Sequence, residues 1–198
     1  EMLRSLVGSE MCKETVKILP AATSKIAVKQ TTNSIKASWK KVAGVSGYRV
    51  YLYKGKKLAK SVDTTKRTLT FKKLSKGTGY KIVVKAYKTI DGKKSLSLVS
   101  KELLTATKLS APTSVKVKAG KKRAIISWTK DKSANSYTVY YSTNKNSGFK
   151  KLTVIKNSAD IKKLTSGKTY YFKVVANKKV GKAAVASDCS KLVSAKIK

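Results

Sequence analysis

Apolar and polar residues alternate with a period of two along much of the chain. The alternation is clearest at residues 35–39, 48–53 and 80–87, where apolar side chains are separated by Lys, Arg, Ser or Tyr. Successive side chains of an extended strand point to opposite faces, so each run has one face on a core and one in water. Turn sequences such as Lys54-Gly-Lys56 and Asp91-Gly92 separate the runs. The pattern predicts an all-β protein built from short antiparallel strands.

The same pattern occurs twice. Trp39 and Trp128 lie 89 residues apart, and so do Tyr48 and Tyr137. Further matches are Leu74-Ser-Lys-Gly-Thr-Gly-Tyr80 with Leu164-Thr-Ser-Gly-Lys-Thr-Tyr170, and Ser100-Lys101 with Ser190-Lys191. A unit of about 90 residues with one inward Trp is typical of a β-sandwich. We therefore predict two tandem seven-stranded antiparallel β-sandwiches.

These residues resemble fibronectin type III domains. The features that carry the resemblance are a single Trp on the second strand, Tyr-x-Val on the third and Leu-x-x-Gly-x-x-Tyr before an alternating strand. The resemblance makes Tyr80 and Tyr170 the tyrosine-corner residues, whose hydroxyls bond to backbone upstream. A proline opens each first strand (Pro20 and Pro112), as in the family. The Lys-rich, Arg-poor composition looks most like modules of secreted Gram-positive bacterial proteins, which implies an extracellular or cell-surface location.

The charge distribution sets the predicted domain boundaries. Residues 1–20 are neutral, with three basic and three acidic side chains. Residues 21–108 carry 22 Lys and Arg against three acids, and residues 109–198 carry 21 against three. We predict a leader at 1–20, module 1 at 21–108 and module 2 at 109–198, joined by a link too short to act as a floppy tether.

The residue inventory argues against catalysis. The chain has no His, which excludes a Ser-His-Asp triad and a His-ligated zinc. Its acids are scattered singly, and it lacks a Gly-rich phosphate loop or a nucleophile elbow. We expect no enzyme, cofactor, metal site or membrane span, and a monomer. Cys12 and Cys189 are expected to be free thiols, because pairing would need the leader to run the length of both modules.

The predicted binding surface is the outward face of the third and sixth strands. Strand parity places Tyr side chains there among Lys and Arg, a combination that suits stacking on sugar rings together with pairing to phosphate or carboxylate. The alternative is that aromatic cross-strand pairs only stabilise an exposed sheet. The candidate residues are Arg49, Tyr51, Tyr53, Lys81, Lys85, Tyr87, Tyr140, Tyr171 and Lys173.

The net charge of +37 indicates attraction to polyanions. Two basic turns stand out: Lys54, Lys56, Lys57 and Lys60 with Lys41 near the third strand, and Lys121-Lys-Arg123. The first hypothesis is a binding or spacer pair that attaches to an anionic cell-wall or surface polymer. The second is recognition of a protein receptor, adhesin-like or hormone-like. Sequence-specific nucleic-acid binding is not expected, because Arg is scarce and no helical reading element is predicted.

Overall fold

The computed structural model describes residues 19–100 and 102–198, which fold entirely into strands, turns and loops. The leader prediction therefore falls almost wholly outside the described residues. Within the described ranges, no helix is long and apolar enough to cross a membrane.

Module 1 contains eight strands in two antiparallel sheets. A three-stranded sheet has the order β1-β2-β5, and a larger sheet has the order β4-β3-β6-β7 with β8 also paired to β6. The strands are β1 (Ala27–Gln30), β2 (Ile35–Ser38), β3 (Gly47–Lys54), β4 (Lys57–Thr64), β5 (Thr68–Phe71), β6 (Gly79–Ile90), β7 (Lys93–Leu96) and β8 (Leu103–Ala106).

Module 2 repeats this arrangement with the orders β9-β10-β13 and β12-β11-β14-β15, and β16 also pairs with β14. Its strands are β9 (Lys116–Gly120), β10 (Arg123–Ser127), β11 (Ser136–Ser142), β12 (Lys150–Val154), β13 (Ser158–Lys162), β14 (Thr169–Val180), β15 (Ala183–Ala186) and β16 (Val193–Lys196). The predicted tandem seven-stranded sandwiches are confirmed, with the last strand of each module divided into two pieces.

Serine hydroxyls span the division in each last strand. Between β7 and β8, Ser97 Oγ accepts a hydrogen bond from the Ala86 amide and Ser100 Oγ accepts one from the Val84 amide. Ser187 and Ser190 make the same bonds to Ala176 and Val174 in module 2. Buried amides that lose their strand partner are thus still satisfied, because a side-chain acceptor replaces the missing carbonyl.

Each module has its own core around the repeated Trp. Trp39 and Trp128 are 5% and 3% exposed, so both point inward as predicted. Each packs edge-on against the repeated Tyr, with ring centroids 5.4 Å apart for Trp39 and Tyr48 and 5.2 Å for Trp128 and Tyr137. The Tyr48 hydroxyl accepts a hydrogen bond from the Val42 amide, and Tyr137 does the same for Asp131. The core tyrosines are therefore buried without losing a partner for their polar ends.

The tyrosine corner implied by the resemblance is found in module 2. The Thr165 amide donates to Tyr170 Oη at 3.3 Å, five residues upstream of the tyrosine. The hydrogen bonds from Thr165 lower the pKa of Tyr170 from its ordinary value. Tyr80 occupies the equivalent position in module 1 and is 4% exposed.

The junction between the modules is packed. A Cβ placed on Gly77 would lie 2.5 Å from Leu109 Cδ2 and 2.8 Å from Ser133 Cβ, so backbone of module 1 approaches side chains of module 2 closely. Two ion pairs cross the junction, Lys76 with Asp131 at 3.5 Å and Lys108 with Asp188 at 2.9 Å. The two modules are therefore held together by side-chain packing and ion pairs as well as by the covalent link.

Candidate binding surface

The outward side of the large sheet in module 1, which we call tyrosine face 1, is formed by β3 and β6. Their register sets Arg49 beside Lys85, Tyr51 beside Val83 and Tyr53 beside Lys81. The alternation of side chains along each strand brings these residues onto one surface. The face consists of Arg49, Tyr51, Tyr53, Lys81, Val83, Lys85 and Tyr87.

Two tyrosines form the accessible centre of this face. The Tyr51 and Tyr53 rings are stacked with centroids 6.3 Å apart and an angle of 26° between their planes. Lys81 Nζ lies 5.0 Å from the Tyr53 centroid, which is within cation–π range. A shallow cavity of about 260 Å³ adjoins the rings, lined also by Lys81, Val83, Lys85, Val99 and Glu102. The arrangement offers a flat aromatic surface with ammonium groups at its margin.

Arg49 is already occupied. Its Nε and a terminal nitrogen donate to the two Asp63 carboxylate oxygens at 2.6 and 2.8 Å. Lys94 Nζ donates to Asp63 Oδ2 at 2.6 Å. The hydrogen bonds from Arg49 hold the pKa of Asp63 well below its usual range, and those to Asp63 raise the pKa of Arg49. Arg49 was predicted as a binding residue, and this pairing instead makes it a cross-link between β3 and β4.

Acid is expected to weaken this cross-link. A carboxyl whose folded pKa is depressed stabilises the fold above its unfolded pKa of about 3.9 and loses that contribution as pH falls through the folded value. Asp63→Asn should therefore lose stability relative to the native chain at pH 7, and the difference should shrink steadily below about pH 4. Urea unfolding followed by circular dichroism at several pH values measures it.

Asp91→Asn is the matched control for this experiment. Asp91 makes no ion pair with the residues that the structure describes, and its φ of +47° lies in a turn that Asn tolerates. This substitution makes the same change of a carboxylate to an amide without removing an ion pair, so its pH profile is the baseline for Asp63→Asn. A constant difference between Asp63→Asn and the native chain down to pH 2 would contradict the expected role.

Tyr87 differs from its prediction. It lies on tyrosine face 1 but is only 8% exposed, because its ring packs over Gly47 and Lys94 Nζ covers it at 4.8 Å from the centroid. Its ring is not open for stacking on a ligand. Lys81 is also engaged, since Nζ bonds Glu102 at 2.7 Å. Tyr51, Tyr53 and Lys85 remain as the partly exposed residues of this face that make no ion pair with the described part of the chain.

The corresponding surface of module 2, which we call tyrosine face 2, is formed by β11 and β14 and includes Tyr140, Tyr171 and Lys173. Tyr140 lies beside Lys173 in the β11–β14 register, and Tyr171 lies beside Ser142. Lys173 Nζ sits 4.2 Å from the Phe149 centroid and 5.9 Å from that of Tyr140. The Lys173 side chain thus lies over aromatic rings, although the sequence pattern suggested that its ammonium group and the Tyr140 ring would both be open to a ligand.

The sequence reasoning missed the side chains that come from outside β3 and β6. Asp63 and Glu102 pair with the cations Arg49 and Lys81 of face 1. Lys94 covers the Tyr87 ring, and Phe149 lies against Lys173 on face 2. Asp63 and Glu102 could have been suspected as ion-pair partners from the sequence, because they are two of only three acids among the many cations of residues 21–108. No sequence signal identified Phe149.

Most carboxylates in the described residues are neutralised locally. Five of the six acids in 19–100 and 102–198 lie within 4.0 Å of a Lys or Arg nitrogen: Asp63, Glu102, Asp131, Asp160 and Asp188. The ion pairs take up only a few of the Lys side chains. The described surface therefore keeps a large excess of ammonium groups over carboxylates.

Few side chains in the described residues could act as a nucleophile or bind a metal ion. Cys189 has a free thiol and is exposed, whereas Cys12 lies outside the described residues. Among residues 19–100 and 102–198, no cluster of Cys, Asp and Glu is arranged to hold a metal ion.

Comparison with known proteins gives a consistent fold. The model of the fibronectin type III domain matches residues 21–101 and 110–188. The two fibronectin type III domain segment from chicken tenascin superimposes with a TM-score of 0.50 at 21% identity, covering 88% of this chain and 98% of that one. The chicken CNTN1 FN1–FN3 domains give a TM-score of 0.47 at 19% identity, covering 91% and 69%. Comparison with curated proteins gave no match.

Proposed function

Because the chain belongs to the fibronectin type III family, whose domains are generally non-catalytic binding or spacer modules, we propose that it is an extracellular binding and spacer pair of a secreted bacterial protein. It attaches to anionic polymers of the cell envelope through its Lys-rich surface. The observation that supports this proposal is the unpaired cationic surplus: 46 Lys and Arg against nine acids, with most described acids already in ion pairs.

The net positive charge of each module is larger than solubility requires. A net charge of magnitude about 2–8 suffices for a small domain, and each module carries more than twice that. Lys is a strongly hydrated point charge, which suits many loose contacts to phosphates better than a geometric fit to one ligand. The two modules carry almost equal charge, so a long polymer could follow both.

Binding to such a polymer must depend steeply on salt. Neutralising about four phosphates of a flexible chain releases counterions and lowers affinity about 50-fold between roughly 50 and 200 mM salt. Titration of poly(glycerol phosphate) against the protein by calorimetry at these concentrations measures the slope. A neutral polymer of the same length, such as dextran, is the control and should not bind. Affinity that stays constant across the salt series would overturn the proposal.

The second candidate function is recognition of a protein partner through tyrosine face 1. The stacked Tyr51 and Tyr53 beside a cavity that Val83 and Val99 also line support it, because aromatic residues are typical centres of protein interfaces. It differs in predicting saturable, salt-tolerant binding. Tyr51→Ala should abolish capture of a surface protein, whereas Tyr140→Ala on face 2 should not.

A further inference from the structure

Strand β4 is an open edge of the large sheet of module 1. It pairs with β3 on one side and is the terminal strand of the sheet order on the other. Seven of its eight residues are exposed, and two of them are large apolar residues, Leu58 and Val62. A strand edge of this length presents unpaired amides and carbonyls that can bond another extended chain.

The equivalent edge in module 2 is shorter. Strand β12 has five residues and follows the loop 143–149, in which Ser142 Oγ donates to the Ser147 carbonyl and the Asn144 side chain accepts from two amides. Module 1 has instead the two-residue turn Gly55-Lys56, with Gly55 at φ +60°. The tight turn lets β4 run further along the edge than β12 does.

The two lysines in the first half of β4 lie on the same side of the sheet. Lys57 and Lys60 lie opposite Lys54 and the buried Leu52, so both are on the side of the sheet that faces the core. Leu58 lies opposite Tyr53 and is therefore on the tyrosine side. The Lys60 ammonium also reaches the Lys72 carbonyl at 3.0 Å, bringing a further Lys-rich segment to the same flank. The only acid of β4, Asp63, is already neutralised by Arg49 and Lys94.

We propose that the free edge of β4 binds an extended acidic peptide segment as an added antiparallel or parallel strand. Carboxylates on one face of the segment would pair with Lys57 and Lys60. Apolar side chains on its other face would cover Leu58 and the edge of Tyr53. A second copy of this chain is a poor occupant of the same edge, because it would set Lys57 and Lys60 against the same cations. This inference goes beyond the polymer binding proposed above and does not depend on it.

The probe is a fluorescently labelled octapeptide of alternating Glu and Val, compared with a peptide of the same composition whose four glutamates form one block. Fluorescence anisotropy should show that the alternating peptide binds at least several-fold more tightly. The alternating peptide alone can present carboxylates to one face and valines to the other, since side chains alternate along a strand. Equal binding of the two peptides would mean that charge alone attracts them, and the proposal would fail.

Backbone methylation tests the strand pairing directly. Amides of alternate residues point toward one edge of an extended chain. N-methylation of one set, either all Val or all Glu residues, should therefore weaken binding about tenfold or more, because several main-chain hydrogen bonds are lost. Methylation of the other set should have little effect. Equal tolerance of both sets, or equal loss, would overturn the proposal.

A matched pair of protein variants locates the edge. Lys57→Gln with Lys60→Gln should weaken the alternating peptide about three- to tenfold, the effect of two exposed ion pairs. Lys150→Gln with Lys151→Gln makes the same charge change on β12 and should alter affinity less than twofold. Equal losses in the two variants would refute binding at β4. Poly(glycerol phosphate) titrated in parallel reports the polymer function separately, so either proposal can fail without the other.

Discussion

Trp128→Ala is expected to lower the free energy of unfolding of module 2 by about 3–5 kcal/mol, the cost of deleting a buried aromatic side chain. Trp128 is almost completely buried at the centre of the module 2 core. Its loss would also remove the edge-on contact that holds the Tyr137 ring, and with it the position of the hydroxyl that satisfies the Asp131 amide. The effect should be confined to module 2, because the two cores are separate clusters.

The remaining tryptophan makes this result measurable by module. In Trp128→Ala, Trp39 is the only tryptophan, so its fluorescence excited at 295 nm should report the urea transition of module 1 and stay near the native midpoint. Far-UV circular dichroism should show an additional, earlier transition from module 2. Trp128→Phe is the control: it keeps an aromatic ring and removes an indole N–H that has no partner among the described residues, so its cost should be clearly smaller. Simultaneous loss of both signals in Trp128→Ala would contradict independent cores.

Gly77→Ala is expected to destabilise the chain by about 2–4 kcal/mol, through two separate causes. Gly77 has φ +57°, where a side chain costs about 1 kcal/mol. Its new Cβ would also collide with Leu109 and Ser133 at the junction, and such overpacking costs about 1–3 kcal/mol. The collision forces the two modules apart or distorts the loop around residue 77.

Gly167→Ala separates the cost of backbone strain from the cost of the steric clash at the junction. Gly167 is the repeat equivalent of Gly77 and has φ +78°, but a Cβ there would meet nothing within 4 Å. It should cost only the backbone strain, about 1 kcal/mol. Unfolding by urea, followed by circular dichroism, compares the two variants. If both cost the same, the packing of Gly77 against module 2 contributes nothing measurable.

The repeat and the alternation together were sufficient to predict the sandwich architecture, the inward Trp residues and the exposed face of β3 and β6. Those features depend on local periodicity, which a sequence displays directly. The split last strand could not be predicted in the same way. Its serines look like ordinary polar residues until the structure shows them bonding to the amides of the neighbouring strand.

The chemistry of face 1 was harder to predict because a β-bulge changes the pairing. Near the turn, Lys54 pairs with Lys57 and Tyr53 pairs with Leu58. If this register continued along the two strands, Val62 would lie opposite Arg49. The register shifts by one residue between Leu52 and Tyr53, so Asp63 lies opposite Arg49 instead. One extra residue therefore decides that Arg49 meets a carboxylate on β4 and forms a cross-link between the two strands.

Tyr87 illustrates a second limit. Parity placed it outward correctly, but exposure also depends on what the neighbouring hairpin supplies. Lys94 on β7 folds across the ring, and Gly47 leaves room for it. A period of two tells which side of a sheet a residue occupies, and does not tell whether another side chain lies over it.

The divided last strand also determines how each module responds to tension. Force that enters module 2 through its C-terminal side is resisted first by β16, which pairs with β14 over only four residues. Beyond it the hydroxyl-bridged gap interrupts the ladder before β15 begins. Mechanical extension that peels β16 away must also draw the buried Ile197 out of the module 2 core, so the four-residue ladder and this corner of the core would yield together, ahead of full rupture.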